Sequence, residues 1–135
     1  MPLFGKEHVE RYEATDGKEG YDWENGTTIL LLHTTGRKSG KERIHPLIYR
    51  DWEDTYLIVA SKGGDPDAPE WFKNIEKNPD VEIQIKADTF PVHARVATAE
   101  EKPAMWKHMT EVWPSYEEYQ GKTDREIPVV VLERA

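Results

Sequence analysis

The chain has 135 residues and a formal net charge of −8, with 33% charged and 37% hydrophobic residues, the balance of one folded domain with a highly charged surface. It has no cysteine, which removes disulfides, thiolate metal sites and cysteine nucleophiles, and its acidity argues against nucleic acid as a partner. The first ten residues lack the apolar run of a signal peptide, and the longest apolar run, Ile29 to Leu32, is too short to cross a bilayer, so a cytoplasmic protein is expected.

Glu7 to Thr15 reads as a short helix with Val9 and Tyr12 on one face, followed by a glycine-containing loop and the aromatic Tyr21-Asp22-Trp23. Thr27 to Thr34 is β-branched and aliphatic almost throughout, the pattern of a strand covered on both faces. Gly36 to Gly40 makes a tight connection into a return strand, Glu42 to Arg50, where Pro46 requires a bulge or an edge position. Asp51 to Asp54 turns the chain into a third strand, Thr55 to Ala60, and Ser61 to Pro66 is loop. Asp67 has the features of a helix N-cap, with Pro69 in the first turn and Glu70 three residues on; this helix runs to about Asn78 and stops at Pro79.

Val81, Ile83 and Ile85 alternate with polar residues, Ala87 to Thr89 turns the chain, and Val92, Ala94 and Val96 alternate on the way back. Thr98 to Trp113 is the longest helical stretch. Thr98 and Glu101 match a capping box, Pro103 moves the regular start towards Glu101, and Pro114 ends the helix. Ile127 to Leu132 is a wholly apolar last strand. About six strands, mostly joined by hairpins, with helices segregated from them, define an α+β fold: a small β-barrel or an α+β sheet, not a doubly wound one. Residues 1–135 form a single domain, of which 1–26 are the N-terminal helix and loop.

Four cations, Arg37, Lys38, Lys41 and Arg43, fall within seven residues of an acidic chain; setting those four charges aside from −8 leaves −12 on the rest. Gly36 and Gly40 and the hydroxyls of Thr34, Thr35 and Ser39 sit among them. Glycine lets backbone N–H groups turn inward to cradle an anion, and arginine adds planar recognition of phosphate or carboxylate. A site for a polyanionic small molecule follows, weighed against a solvated hairpin tip. The spacing is not that of a Walker A loop, because three residues rather than four separate the glycines and Glu42 follows Lys41.

Ser61-Lys62-Gly63-Gly64 follows a strand end and lets backbone approach a planar ligand, or is an ordinary glycine loop. Trp71 and Asn74 share a helix face, either for stacking on a ring and bonding its edge or for core packing. Trp113, Tyr116 and Tyr119 recur every three residues, as a substrate wall or a packing stripe. His45 follows the basic turn closely enough to face the same site. The five histidines show no helical ligand spacing, and no metal is expected.

Taken in order, Leu32-His33-Thr34-Thr35-Gly36-Arg37-Lys38-Ser39-Gly40, His45-Pro46-Leu47, Val59 to Gly64, Pro69 to Asn74, Asn78-Pro79, Trp113 to Tyr116, Tyr119-Gln120 and Thr123 to Val130 closely resemble the deazaflavin-dependent nitroreductase family, split β-barrel oxidoreductases that use coenzyme F420. The likeness runs from about Thr27 to Leu132, with further similarity from Tyr12 to Trp23. The resemblance implies a split β-barrel of about six mainly antiparallel strands with flanking helices. It also implies that Arg37, Lys38, Ser39, Gly40 and Arg43, with Pro46 nearby, line the anionic phosphodiester and oligoglutamate part of the coenzyme. By the same likeness Ala60, Ser61, Lys62 and Gly63 edge the deazaflavin ring, Trp71 and Asn74 complete the groove, and Tyr116 and Tyr119 belong to the substrate wall. Two positions depart from the nitroreductase itself: Trp113 and Ile48 each stand where that enzyme has a pocket tyrosine. Both changes remove a phenol from the substrate side, which bears on bicyclic nitroimidazoles and not on the cofactor. The N-terminal segment is short, so any membrane-associating extension is reduced.

The expected reaction is hydride transfer from the reduced deazaflavin to an electron-poor acceptor such as a quinone, an enone or a nitroaromatic, with Ser61, Tyr116 or Tyr119 bonding the developing anion or donating the following proton. The acceptor is a small molecule; peripheral membrane contact is left open, and so is the choice between monomer and homodimer. The rivals are an FMN oxidoreductase on the same kind of barrel, a non-catalytic deazaflavin-binding protein, and a plain interaction module.

Overall fold

Six antiparallel strands close on themselves in the order β1-β2-β3-β6-β5-β4 in the computed structural model, which describes Leu3, residues 5–65 and residues 67–135. The strands are β1 Thr28–Thr35, β2 Glu42–Trp52, β3 Thr55–Val59, β4 Asp80–Ile85, β5 Asp88–Val96 and β6 Val129–Arg134. The helices are α1 Gly5–Thr15, α2 Glu70–Lys77, α3 Lys102–Val112 and α4 Ser115–Gly121, with short 3-10 turns at Glu24–Gly26 and Lys62–Gly64. Pro66, placed in the third loop by the sequence, lies outside the described residues.

The continuous apolarity of β1 and β6 has one cause. Leu30 and Leu32 of β1, with Val130 and Leu132 of β6, point into the barrel interior beside Ile58, Ile83 and Val92. Their alternate residues are covered from outside: Ile29 and Leu31 pack under Val9 and Tyr12 of α1, and Val129 and Val131 pack under Met105 and Met109 of α3 and Tyr116 of α4. Both faces of these strands are therefore dry, and a period of two is invisible in their sequence.

Pro46 occupies an edge position, as its missing N–H demands. It pairs in regular register with Leu31 of β1, while β2 meets β3 only from Arg50↔Leu57 to Trp52↔Thr55. Continued at that register, residues 49 to 46 of β2 would face residues 58 to 61; those pairs are absent, and the barrel wall opens there. This opening positions the site.

Three local expectations change. The second helix starts at Glu70, not Asp67, because Pro69 holds an extended ψ of 148° at the N-cap and keeps the preceding residue out of helical conformation. Asp67 caps no helix: its backbone N–H donates to the Asp65 carboxylate at 2.8 Å, and its own carboxylate meets Lys73 at 2.9 Å. A further helix, α4, follows Pro114. Finally, strand ends shift: β2 runs on to Trp52, so its turn sits at Glu53-Asp54, β6 starts at Val129, and β4 gives way to β5 at Lys86-Ala87, one residue earlier than expected. The capping box is present: Thr98 N–H donates to Glu101 Oε1 at 2.9 Å and Glu101 N–H to Thr98 Oγ1 at 3.2 Å. Among the described residues no helix is long and apolar enough to cross a membrane.

Candidate active site

The basic turn is built by the hairpin between β1 and β2. Gly36 donates its N–H to Lys41 O at 2.8 Å and accepts from Gly40 N–H at 2.8 Å, which closes the loop. A Cβ at Gly36 would lie 2.6 Å from Ser39 Oγ, so a larger residue here would have to displace the Ser39 hydroxyl. Asn74 on α2 holds the turn from below: its Oδ1 accepts from Arg37 N–H at 3.2 Å and from Arg37 Nη1 at 3.1 Å, while its Nδ2 donates to Thr34 Oγ1 at 3.2 Å. Lys77 Nζ adds a bond to Arg37 O at 2.9 Å. The second helix is thus the bracket of the cationic turn, and the side-chain amide of Asn74 is spent on that task.

Around this turn lies a cavity of about 420 Å³ lined by Gly36, Arg37, Lys38, Ser39, Arg43, His45, Glu70 and Asn74. It abuts a larger one of about 510 Å³ at the split of the barrel. Pro46, Leu47 and Ile48 of β2 form one side of the larger cavity, Val59, Ser61 and Lys62 the other, and Trp71, Trp113, Tyr116 and Tyr119 close it. His8 and Gly5 of α1, Leu3 and Trp23 reach it from the N-terminal side. His45 and Glu70 border both cavities. One groove results, cationic at one end and aromatic at the other.

Most of the residues singled out in the sequence meet in this groove. Gly40 does not line it and borders a separate depression with His33, Glu42 and Asp80. Ala60 is fully buried behind the wall, with its N–H on Pro128 O at 3.1 Å. Gly63 contributes backbone to the turn Lys62–Gly64. Trp71 belongs at once to the barrel core and to the cavity wall.

Charge in the groove is partly committed. Arg37 Nη2 meets Glu70 Oε2 at 2.7 Å, and this contact holds the Glu70 carboxyl below its usual range. Burial, and then the positive charge of Arg43, push the His45 imidazole below its ordinary 6.5, so it is neutral. Burial pushes the Tyr116 phenol up, with the neighbouring Tyr119 adding to the shift. The Trp113 indole donates to the Tyr119 hydroxyl at 3.4 Å, and the Trp23 and Trp113 rings lie 5.6 Å apart.

Arg125 is the residue whose role sequence reasoning missed. Its guanidinium donates to three backbone carbonyls of the cavity wall: Ala60 O at 3.1 Å, Ser61 O at 2.7 Å and Asp65 O at 2.9 Å. Gln120, at the end of α4, accepts from Ile127 N–H at 2.9 Å and donates to Arg125 O at 2.9 Å. A Cβ at Gly64 would sit 2.6 Å from Tyr119 O, so the loop and α4 touch backbone to backbone. His8, Trp23 and Glu70 were also unmarked. Their approach depends on how α1 and α2 pack, and nothing local to those residues signals it.

A six-strand barrel that opens between β2 and β3, with a cationic turn and an aromatic-walled cavity at the opening, defines a split-barrel oxidoreductase built for a ring with an anionic tail. Residues 4–134 match the F420H(2)-dependent quinone reductase family, and the chain belongs to it. An F420H(2)-dependent quinone reductase of Mycobacterium tuberculosis is 42% identical over 130 residues, 94% of this chain and 87% of the relative. A solved structure described as an F420-H2 dependent reductase superposes with a TM-score of 0.71 at 46% identity, covering 78% of this chain and 93% of that one. Another, described as a domain-swapped dimer, gives a TM-score of 0.75 at 42% identity over 95% and 96% of the two chains.

Proposed function

We propose that this protein reduces a quinone-type acceptor with coenzyme F420, holding the coenzyme along the groove and the acceptor under Trp113, Tyr116 and Tyr119. The observation that carries the reading is the pair of abutting cavities at the split: cations line the smaller and aromatics the larger. The residues present fit the coenzyme. Arg37, Lys38 and Arg43 suit its phosphodiester and oligoglutamate part, and the backbone-rich edge from Ser61 to Lys62, with Pro46 and Trp71, suits a flat ring. When bound, the reduced coenzyme supplies a hydride from C5 of its deazaflavin.

The protein's contribution is binding, orientation and proton control. The cationic turn holds the anionic tail by charge-assisted hydrogen bonds. Trp23, from the N-terminal segment, and Trp113, at the end of α3, pair their rings at the cavity wall and are placed to shield it from water. Tyr116, kept protonated by burial, is suited to donate a hydrogen bond to an acceptor oxygen rather than to release its proton. Tyr119 and Ser61 are the hydroxyls left to pass a proton to the reduced acceptor. Ile48 and Trp113 present hydrocarbon and indole surface to the acceptor, which favours a lipophilic quinone over a nitroimidazole that needs phenol donors. The relative described as a domain-swapped dimer supports assembly as a dimer.

Titrating the purified protein with oxidised F420 and separately with FMN, followed by fluorescence, tests the cofactor. Binding of F420 and steady oxidation of its reduced form on adding a soluble naphthoquinone are the expected results. Binding of FMN alone would move the assignment to a flavin oxidoreductase, and F420 binding without turnover on any quinone would make the protein a coenzyme carrier.

A further inference from the structure

Two buried side-chain atoms among the described residues have no hydrogen-bond partner, His33 Nε2 and His45 Nε2. Buried polar nitrogens are almost always paired, so each calls for a cause. His33 sits on the far side of the hairpin, beside Glu42. His45 sits where the two cavities of the groove meet, so any molecule filling both passes its ring. His45 is therefore the residue at the waist of the ligand path, and its ring carries a nitrogen without a partner.

The electrostatic setting of that ring is unusual. Arg43 lies two residues away on its own strand, and Arg37 and Lys38 face the same cavity from the turn. Lys62 and His8 face the larger cavity from the end of β3 and from α1. The one carboxylate bordering both cavities, Glu70, is bound to Arg37 at 2.7 Å. A proton added to His45 in the free protein would join a cluster of cations and lose hydration. An anion at the waist reverses that sign, because a nearby negative charge favours the imidazolium.

Resting on the coenzyme reading above, we propose that His45 is a coenzyme contact at the waist of the groove that takes up a proton when the phosphodiester linker arrives, so that coenzyme affinity depends on pH. The linkage has a definite sign. A group whose pKa is higher in the complex than in the free protein strengthens binding as pH falls. Affinity is constant above the bound-state pKa of His45, rises as pH falls between the bound and free values, by up to about tenfold per pH unit, and levels below the free value. Arginine and lysine stay charged throughout this range, and among the described residues Glu70 and His8 are the other groove groups whose protonation could mimic the effect, the first removed in Glu70→Gln and the second left intact in His45→Gln.

Calorimetric titration with oxidised F420, in buffers of different ionisation enthalpy between about pH 5 and pH 8, counts the protons taken up on binding. Uptake approaching one proton is expected in the wild type and in Glu70→Gln, and close to none in His45→Gln, which should also bind with a flat pH profile. In the wild type, NMR titration should show one histidine ring whose pKa rises in the complex, a readout that survives even if His45→Gln folds poorly. Binding without proton uptake, uptake retained in His45→Gln, or uptake lost in Glu70→Gln overturns the assignment to His45. No binding of F420 by the wild type overturns the coenzyme reading instead.

Discussion

Single side chains in the groove divide into those that meet the ligand and those that hold them. Arg37 does both, since its guanidinium is shared between Asn74 and Glu70 while it faces the anion cavity. Among the described residues Lys38 and Arg43 make no ion pair or side-chain hydrogen bond, which leaves both cations free to meet a ligand. Replacing Arg37 and Lys38 together by Gln should raise the F420 dissociation constant at least tenfold: charge-assisted contacts are worth ~1.5–3 kcal/mol each, discounted because solvent reaches the turn. The loss should shrink as salt is added, because screening already weakens the wild-type contacts. A fluorescence titration at two salt concentrations reads both effects, and an unchanged dissociation constant would refute the anion site. Tyr116→Phe separates the other end of the groove. It should lower turnover with a quinone while leaving coenzyme affinity within about twofold, since its phenol lines only the larger cavity. Equal losses in both would reduce Tyr116 to a packing residue.

Elements join these two ends. The loop from Ala60 to Asp65 edges the groove, and α4 carries Tyr116 and Tyr119; Arg125, in the segment before β6, and Gln120, at the end of α4, tie them together. Arg125→Ala should cost about 1–3 kcal/mol of stability, from carbonyls left without donors, and should weaken F420 binding through the loosened loop. Arg125→Lys should recover only part, because an ammonium cannot fork across three carbonyls as a guanidinium does. A melt and a coenzyme titration on both variants test this; coenzyme affinity that stays at the wild-type level would show the loop to be fixed without Arg125. The strands and the basic turn were legible in the sequence, since apolar runs and glycine–cation spacing are local signals. The fourth helix was hidden by Pro114, which ends α3 but also serves as the N-cap of Ser115–Gly121, with Glu117 and Glu118 favouring its first turn. Arg125 stood in a segment that the family resemblance includes, yet its three acceptors lie about 60 residues away in sequence. Only closure of the barrel brings them together.

Across the whole molecule, the weakest part of the wall away from the split is the seam where β4 returns to β1, which has three residue pairs, Leu31↔Gln84 to His33↔Glu82. Tyr12 staples it. From α1 its fully buried phenol donates to Ile29 O at 2.9 Å on β1 and accepts from Lys86 N–H at 2.8 Å just past β4. The same helix carries His8 over the larger cavity, so the seam and the acceptor side share one fastening. Tyr12→Phe leaves the Lys86 N–H without its partner and should destabilise the fold by about 1–3 kcal/mol. Burial, opposed by the Lys86 hydrogen bond, raises the Tyr12 phenol from its ordinary 10.0 to about 12. The folded state therefore holds that proton more tightly than the unfolded chain. Its contribution is complete below pH 10 and is lost as pH rises from 10 to about 12. Tyr49 and Tyr116 are also held protonated by burial, so the alkaline loss in Tyr12→Phe should be reduced, not abolished. Denaturant unfolding of both proteins at neutral pH and again near pH 11 measures the difference, which should narrow at the higher pH. No gap at neutral pH would mean that the Tyr12 hydroxyl staples nothing and that the seam is held by its three strand pairs alone.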